Sequence, residues 1–456
     1  MRIDSSKSTR RGFCKFAANS LAIGFSMANS GWADDAPAVT HPRATDGDRR
    51  YEPKWDEKII VTVSNTQGDF VGKDHRVIQG ALDFVSRLGG GTVHVLPGTY
   101  LCRNAIFLPS NIRLLGSGPE AVLTKGPSES VDLVEDSDWY DQEITLSSHA
   151  GMRVGDGVVL LATNPHTQGS TVIKRTLIAR NGNRFKLDKG LRENLWLSGK
   201  PRCASLFPII TSEFTSDVQI ENITIDGNRA NNENFNGNYG GCIFLQDCQR
   251  YQIRNCETRN YNGDGISFQI CHDVLVEDCH SHDNQDLGIH PGSGSQRPIL
   301  RRNRMVNNSQ GLFWCWGVKY GLAEDNIMDA NRLYGSSIGH NDTDNVMVRN
   351  RFSNSGKIGL LFRNENRGKD FFPNRNSVLN NEFQDNGGED GIAIDIQGQP
   401  KDLVIRGNRF AETRSKAKRI GIRVGAEVGP VLAESNRFEG FMQDVVDARL
   451  ENRTKS

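Results

Sequence analysis

From residue 217 onward, apolar and polar positions return in one short pattern: an Asn, a hydrophobe two residues later, a gap, then a Gly followed by an apolar residue. The Asn falls at Asn303, Asn326, Asn350, Asn381, Asn408 and Asn436, and Cys256 and Cys279 hold its place in the two earlier turns. The Gly falls at Gly241, Gly265, Gly288, Gly311, Gly335, Gly359, Gly391 and Gly421, mostly 23 or 24 residues apart, later between 27 and 32 for the pattern as a whole. After each Gly the chain alternates. Ile266 and Phe268, Ile289 and Pro291, Leu312 and Trp314, and Leu360 and Phe362 share one parity; Ser267 and Gln269, His290 and Gly292, and Arg363 take the other. Period-two alternation predicts a half-buried strand. A second short strand precedes each Asn, as at Val274-Leu275-Val276.

Self-similarity at this period means that each unit buries its apolar side against its neighbours. Gly, Asn and β-branched residues dominate and no 3.6-residue stripe persists, so helical repeats are excluded. The expected fold is all-β: a right-handed parallel β-helix, single-stranded as a solenoid, with stacked Asn amides about 4.8 Å apart hydrogen-bonding along a column. Upstream, Val77, Ile78, Ala81, Leu82, Val85 and Leu88 line one face of a helix over 74–88, with Asp74 as N-cap. Gly89-Gly90-Gly91 stops it, Thr92-Val93-His94-Val95-Leu96 starts a strand, and Pro97-Gly98-Thr99-Tyr100 turns it. These residues, with Leu114-Leu115-Gly116-Ser117-Gly118 and Ile223-Thr224-Ile225-Asp226-Gly227-Asn228, resemble the pectin-lyase-like superfamily, and the resemblance runs over most of residues 60–445. It implies that the helix caps the open end of the solenoid, where strand edges are otherwise unpaired.

Residues 127–210 break the period. Val154–Leu161 and Thr176–Leu187, the latter around an Asn-Gly hairpin turn, predict a small β insertion that forms one wall of a cleft. The expected organisation is therefore an export signal at 1–33, a tail at 34–56, cap and first coils at 57–126, the insertion at 127–210 and repeats at 211–450. Thr9-Arg10-Arg11-Gly12-Phe13-Cys14-Lys15 resembles a twin-arginine motif, Phe16 to Met27 is a short apolar stretch, and Gly31-Trp32-Ala33 offers small residues for cleavage. The expectation is a periplasmic or secreted protein with no integral membrane segment once the signal is removed.

Fifty-five basic and 55 acidic residues give a formal net charge of zero, which argues against nucleic acid as the partner. Eight cysteines follow the signal; Cys256 and Cys279, and Cys248 and Cys271, are each 23 apart and read first as stacked small hydrophobes, second as disulfides. No zinc spacing is present.

Stacking the coils on their Gly residues makes columns of outward side chains. One reads Ile243, Ser267, His290, Phe313, Ser337, Leu361, Ala393; the next reads Leu245, Gln269, Gly292, Cys315, Gly339, Arg363, Asp395. Trp316, His340 and Glu365 follow in the turn, and Asp264 and Asp286 precede the Gly. Carboxylates, imidazoles, an Arg and a Trp on one face suit a polysaccharide or oligosaccharide: acid and base work, charge neutralisation and ring stacking. Candidate catalytic residues are His290, Asp264, Asp286, Arg363 and His340; candidate substrate contacts are Trp316, Gln269, Ser267 and Glu365. The long turns at 229–238, 365–375 and 414–418 are where a groove would be built. Structural readings stand beside these. Asp264 and Asp286 suit turn residues, Arg363 and Glu365 a surface pair, and parity puts Trp314, and by the same rule Trp316, in the core. Asp342 and Asp344 offer either a cation site, calcium by its chemistry, or an ordinary polar turn.

Asn262-Gly263-Asp264-Gly265-Ile266 resembles the polygalacturonase segment whose Asp is catalytic, although Asp286-Leu287 stands where that family has paired Asp residues and Ser309-Gln310-Gly311 where it has Gly-His-Gly. Gly288-Ile289-His290-Pro291-Gly292 is similar to an alginate C5-epimerase segment, with His290 in place of its Asp. The expectation is an enzyme on an acidic glycan, a lyase or C5-epimerase in which His290 or a neighbour abstracts the C5 proton and Arg363 or a cation neutralises the uronate. A glycoside hydrolase using Asp264 and Asp286, or a non-catalytic glycan-binding surface protein, are the alternatives.

Overall fold

The computed structural model describes Pro37 and residues 53–388, 391–414 and 418–453. The expected export signal and most of the expected tail lie outside the described residues. Among the described residues, three parallel sheets of 13, 11 and 11 strands carry the coils, and the chain visits them in a fixed order. One coil runs His272–Glu277 in the first sheet, His280–His282 in the second and Leu287–Gly292 in the third. Each strand pairs in parallel with the equivalent strand one coil away, as Leu275 with Ile299, Ser281 with Met305 and Ile289 with Leu312. The inward positions form one continuous apolar core from Val61 to Val428. This is the expected parallel β-helix.

Side-chain ladders clamp the coils. Asn303, Asn326, Asn350, Asn381, Asn408 and Asn436 form an unbroken amide column, each Nδ2 donating to the next Oδ1 at 2.9–3.0 Å. Each Oδ1 also accepts the backbone N–H of the preceding rung, so buried turn amides are satisfied. A second column, Asn284, Asn308 and Asn331, repeats the device at the next corner. Stacked rings of Phe352, Phe383, Phe410 and Phe438, with centroids 4.6–5.0 Å apart, fill the interior of the later coils.

The recurring Gly marks a slot too tight for most side chains. A Cβ on Gly311 would lie 2.6 Å from the carbonyl oxygen of Gly335, and one on Gly335 equally close to that of Gly359. The register shows that the slot does not always hold Gly. Ile243 pairs with Ile266, which sets Cys242 against Gly265; Ile358 pairs with Ile392 and Leu360 with Ile394, which sets Ala393 against Gly359. The expected columns are corrected accordingly. Phe244, not Ile243, precedes Ser267 and His290, and Asp395, not Ala393, pairs with Leu361. In the neighbouring column Gln246 replaces Leu245.

The helix α1 (His75–Arg87) is N-capped by Asp74, whose carboxylate accepts the Arg76 N–H at 3.0 Å, and buries Ile78, Ala81, Leu82 and Val85. Gly89 and Gly90 leave it in the left-handed region (φ 84° and 98°), where a Cβ on Gly90 would also strike Asn111. The insertion is a six-stranded antiparallel sheet with its own core of Val131, Ile144, Leu160, Leu177 and Phe185. Asn181 pairs with Arg184, so Gly182-Asn183 forms its hairpin turn, one residue beyond the expected Asn-Gly. A separate cluster of Val159, Ala204, Leu206 and Phe235 joins the insertion to the turn at 229–238. All eight described cysteines are free thiols, and Cys248, Cys256, Cys271 and Cys279 are buried. The stacked reading of these four is the observed one.

Candidate active site

The third sheet carries a groove of about 470 Å³ on its outer face. Asp264 stands in the strand Asp264–Gln269 and His290 one coil on, in Leu287–Gly292. The turn at 229–238 contributes Asn234, Asn236 and Asn238, and the turn after the strand Ile358–Phe362 contributes Glu365 and Arg367. These are two of the three long turns expected to build a groove. Residues 415–417 of the third lie outside the described residues. The insertion lines no part of the groove; it supports the wall from behind, through Phe235.

At the floor, Asp264 Oδ2 is 2.8 Å from His290 Nδ1, and both side chains are buried. The other Asp264 oxygen accepts the Leu287 N–H at 3.1 Å. Asp264 is thus a turn acceptor and a histidine partner at once. A Cβ on Gly237 would stand 2.6 Å from Asp264 Oδ1, so only Gly lets the wall turn close over the carboxylate. Burial lowers the imidazole's hold on its proton, but the hydrogen bond and charge of Asp264, with the Cys315 sulfur beside the ring, outweigh it and raise His290 to about 9. The shift favours the imidazolium form of His290. Its Nε2 has no hydrogen-bond partner, and the residue lines the groove. A buried charged donor without an acceptor is costly, and an anionic or carbonyl oxygen of a ligand would supply the missing acceptor.

Asp286 lines the same groove, held by Asn234 Nδ2 at 2.8 Å. Burial raises its pKa, opposed by that hydrogen bond, and the charge of Asp264 raises it further. Trp316, 46% exposed, contradicts the parity argument for burial; it sits just past the strand, in the left-handed region (φ 68°), and turns outward. Its ring meets His340 edge-on at 5.4 Å, and His340 meets Phe371 likewise. The Arg367 guanidinium lies over the Trp316 ring, 4.3 Å from its centroid. Desolvation and nearby Arg367 lower the His340 pKa, and its Nδ1 accepts the Arg367 N–H at 3.0 Å.

Three expected site residues stand elsewhere. Arg363 is buried: it donates to Ser337 Oγ and the Trp314 carbonyl at 2.8 Å each, pairs with Glu365 at 3.1 Å and packs on Phe313. Its guanidinium is spent on the fold. Ser267 and Gln269 lie behind His290, where Gln269 Nε2 donates to Ser267 Oγ and Ser267 Oγ to the Gly237 carbonyl. They brace the floor and do not line it. The Asp342 carboxylate receives the N–H groups of Gly317, Val318 and Gly339, and Asp344 pairs with Arg375, so that turn is a polar turn rather than a cation site. Arg367, Cys315, Gln310 and the three Asn residues also line the groove; the turns that carry Arg367 and the Asn residues were expected to build it, but none of the six was named as a site residue. Cys315 was readable from its column; Arg367 lies outside the repeat and carried no periodic signal.

Residues 209–371 match the family model described as a right handed beta helix region. That stretch contains the whole floor of the groove. The pre-neck appendage protein of Bacillus phage phi29 is 24% identical over 299 residues, 64% of this chain and 30% of the phage protein. The chain therefore spans about a third of that relative's length. The A-module of a mannuronan C-5 epimerase from Azotobacter vinelandii is 14% identical, with a TM-score of 0.46 over 84% of this chain and 97% of that one. A surface adhesin of Streptococcus pneumoniae is 14% identical, with a TM-score of 0.48 over 84% and 93%. Among the described residues no helix is long and apolar enough to cross a membrane.

Proposed function

We propose that the chain is an exported enzyme acting on an acidic glycan, by removal of the proton beside a uronate carboxylate. The observation that carries this is the buried Asp264–His290 pair, whose histidine has an unpaired Nε2 and lines a groove that also holds Asp286 and Arg367. In this reading the uronate carboxylate takes the Nε2–H of His290 and the guanidinium of Arg367, while a sugar ring stacks near Trp316. Neutralising that carboxylate makes the C5 proton more acidic, and the resulting enolate charge stays against fixed cations. Asp286 accepts the proton; a carboxylate whose pKa is raised toward the working pH is the better base. From the enolate the C4–O bond breaks and the departing oxygen takes a proton from Asp286 or from water, leaving an unsaturated uronate, or water in the groove returns a proton to the opposite face and C5 is inverted. His290 thus acts as the electrophile, reversing the role of base that its sequence context implied.

The charge of Asp264 on Asp286 favours one second reading, hydrolysis by a carboxylate pair. Ultraviolet absorbance of unsaturated uronates and release of reducing ends, followed together on a panel of acidic polysaccharides, separates the two. Absorbance supports elimination, reducing ends without absorbance support hydrolysis, and binding without either is resolved by deuterium exchange at C5, which supports inversion when present and a glycan-binding protein when absent. Twin-arginine export, from Arg10-Arg11 and the apolar stretch after them, belongs to the same proposal and is checked by the N-terminus of the mature protein.

A further inference from the structure

On the outer face of the second sheet, away from the groove, successive rungs bring Glu257, His280 and His282 together. Glu257 pairs with His280, and Arg259 with His282. The two imidazoles stack with centroids 4.1 Å apart and planes 26° from parallel. Potential ligand atoms of Glu257, His280 and His282 all lie within 4.8 Å of one another, and all three residues are half-buried.

The hydrogen bonding of His282 is over-supplied with acceptors. Its Nδ1 is 2.6 Å from Asp283 Oδ2 and its Nε2 is 3.0 Å from Glu257 Oε1. A neutral imidazole has one N–H. With that proton on Nδ1, facing Asp283, the Nε2 lone pair confronts a carboxylate oxygen. A second proton or a metal ion relieves the conflict. A carboxylate holding Nδ1–H while Nε2 faces outward is the arrangement that orients metal-ligating histidines. His280 supplies the next donor: its ring stacks on that of His282, with a ligand atom within 4.8 Å of those of His282 and Glu257.

The geometry points to a divalent transition-metal site formed by Glu257, His280 and His282, of the zinc class, with water completing the coordination. Two imidazoles and one carboxylate are a donor set that zinc, nickel and copper accept. Glu257 is already engaged, since Arg259 Nη1 is 3.2 Å from each of its oxygens and Thr224 Oγ1 donates to Oε2 at 3.0 Å. Each carboxylate oxygen has two acceptor positions, so Oε1 can turn to the metal while Oε2 keeps Thr224. Arg259 keeps Asp226, 2.9 Å away. The ion would join two adjacent coils, adding a crosslink to the stack.

The test uses the full chain without an affinity tag, stripped with chelator and titrated with zinc by calorimetry and with cobalt by optical absorption. One ion per chain is expected, at micromolar affinity or tighter, with a higher Tm in its presence. His280→Phe keeps a ring in the stack and should weaken binding at least tenfold, while His149→Ala leaves it unchanged. X-ray absorption of the zinc-loaded wild type needs no variant; it should show nitrogen and oxygen neighbours at about 2.0–2.2 Å and two imidazoles. No binding, sulfur ligands, or unchanged affinity in folded His280→Phe would each overturn the site.

Discussion

Asp264 Oδ2 and His290 Nδ1 stand 2.8 Å apart, both sealed from solvent beneath a turn that closes over them at Gly237. One coil separates the two residues. Their contact converts a buried imidazole, which burial alone would keep neutral, into a cation at the floor of a groove.

The pair has a stability signature. The folded protein holds the His290 proton more tightly than the unfolded chain does, with a pKa of about 9 against the ordinary 6.5. The stabilisation is complete below about pH 6.5 and drains away as pH rises through about 9. Asp264→Asn should bring the His290 titration well down from about 9, because burial then acts with little to oppose it, followed by NMR of the ring protons. The Tm gap between wild type and this variant should narrow over the same pH window.

Arg363 and Arg367 should separate cleanly. Removing Arg363 leaves the Trp314 carbonyl and Ser337 Oγ without their donor and empties a buried space beside Phe313. Arg363→Ala should cost about 3–5 kcal/mol in denaturant unfolding. Arg367 rests on Trp316 at the groove surface. Arg367→Ala should leave Tm within a degree or two and raise KM for an anionic glycan severalfold.

The amide column makes a prediction about the fold itself. Asn350 donates to Asn381 and to the Ala323 carbonyl, and accepts from Asn326 twice. Asn350→Ala strands buried donors and acceptors on both neighbours and should destabilise by about 2–4 kcal/mol. A change of similar volume on the surface of the same coil should not.

Cys315 is partly exposed, whereas the other seven described cysteines are buried. Iodoacetamide on the native chain should modify Cys315 alone among these eight, read by peptide mass spectrometry. The added group would stand beside His290 in the groove, so labelling should abolish turnover and Cys315→Ser should prevent that loss.

Much of this architecture was readable from periodicity, because a coil repeats its chemistry wherever it repeats its shape. The amide column, the cap α1 and the assembly of Asp264, Asp286, His290 and His340 around one groove all followed from spacing, whereas parity alone would have buried Trp316. The register failed at Gly241 and Gly391 for a physical reason: the slot is held by a small residue that need not be Gly, and Cys242 and Ala393 occupy it in their coils. The column of Asn284, Asn308 and Asn331 was also legible, at steps of 24 and 23, but was hidden behind the stronger Gly signal. Which Arg faces the groove was not legible. Arg363 lies in phase with the strand and is drawn under Glu365, while Arg367 belongs to a turn with no counterpart in other coils.

The central claim is that Asp286 takes a proton from carbon while His290 stays charged. The direct measurement is proton NMR of acidic polysaccharides incubated with the enzyme in D2O, alongside the same reaction with Asp286→Asn. The account predicts deuterium at C5 or an unsaturated terminus with wild type, and neither with folded Asp286→Asn. New reducing ends with no exchange at C5 would contradict it and assign the groove to hydrolysis.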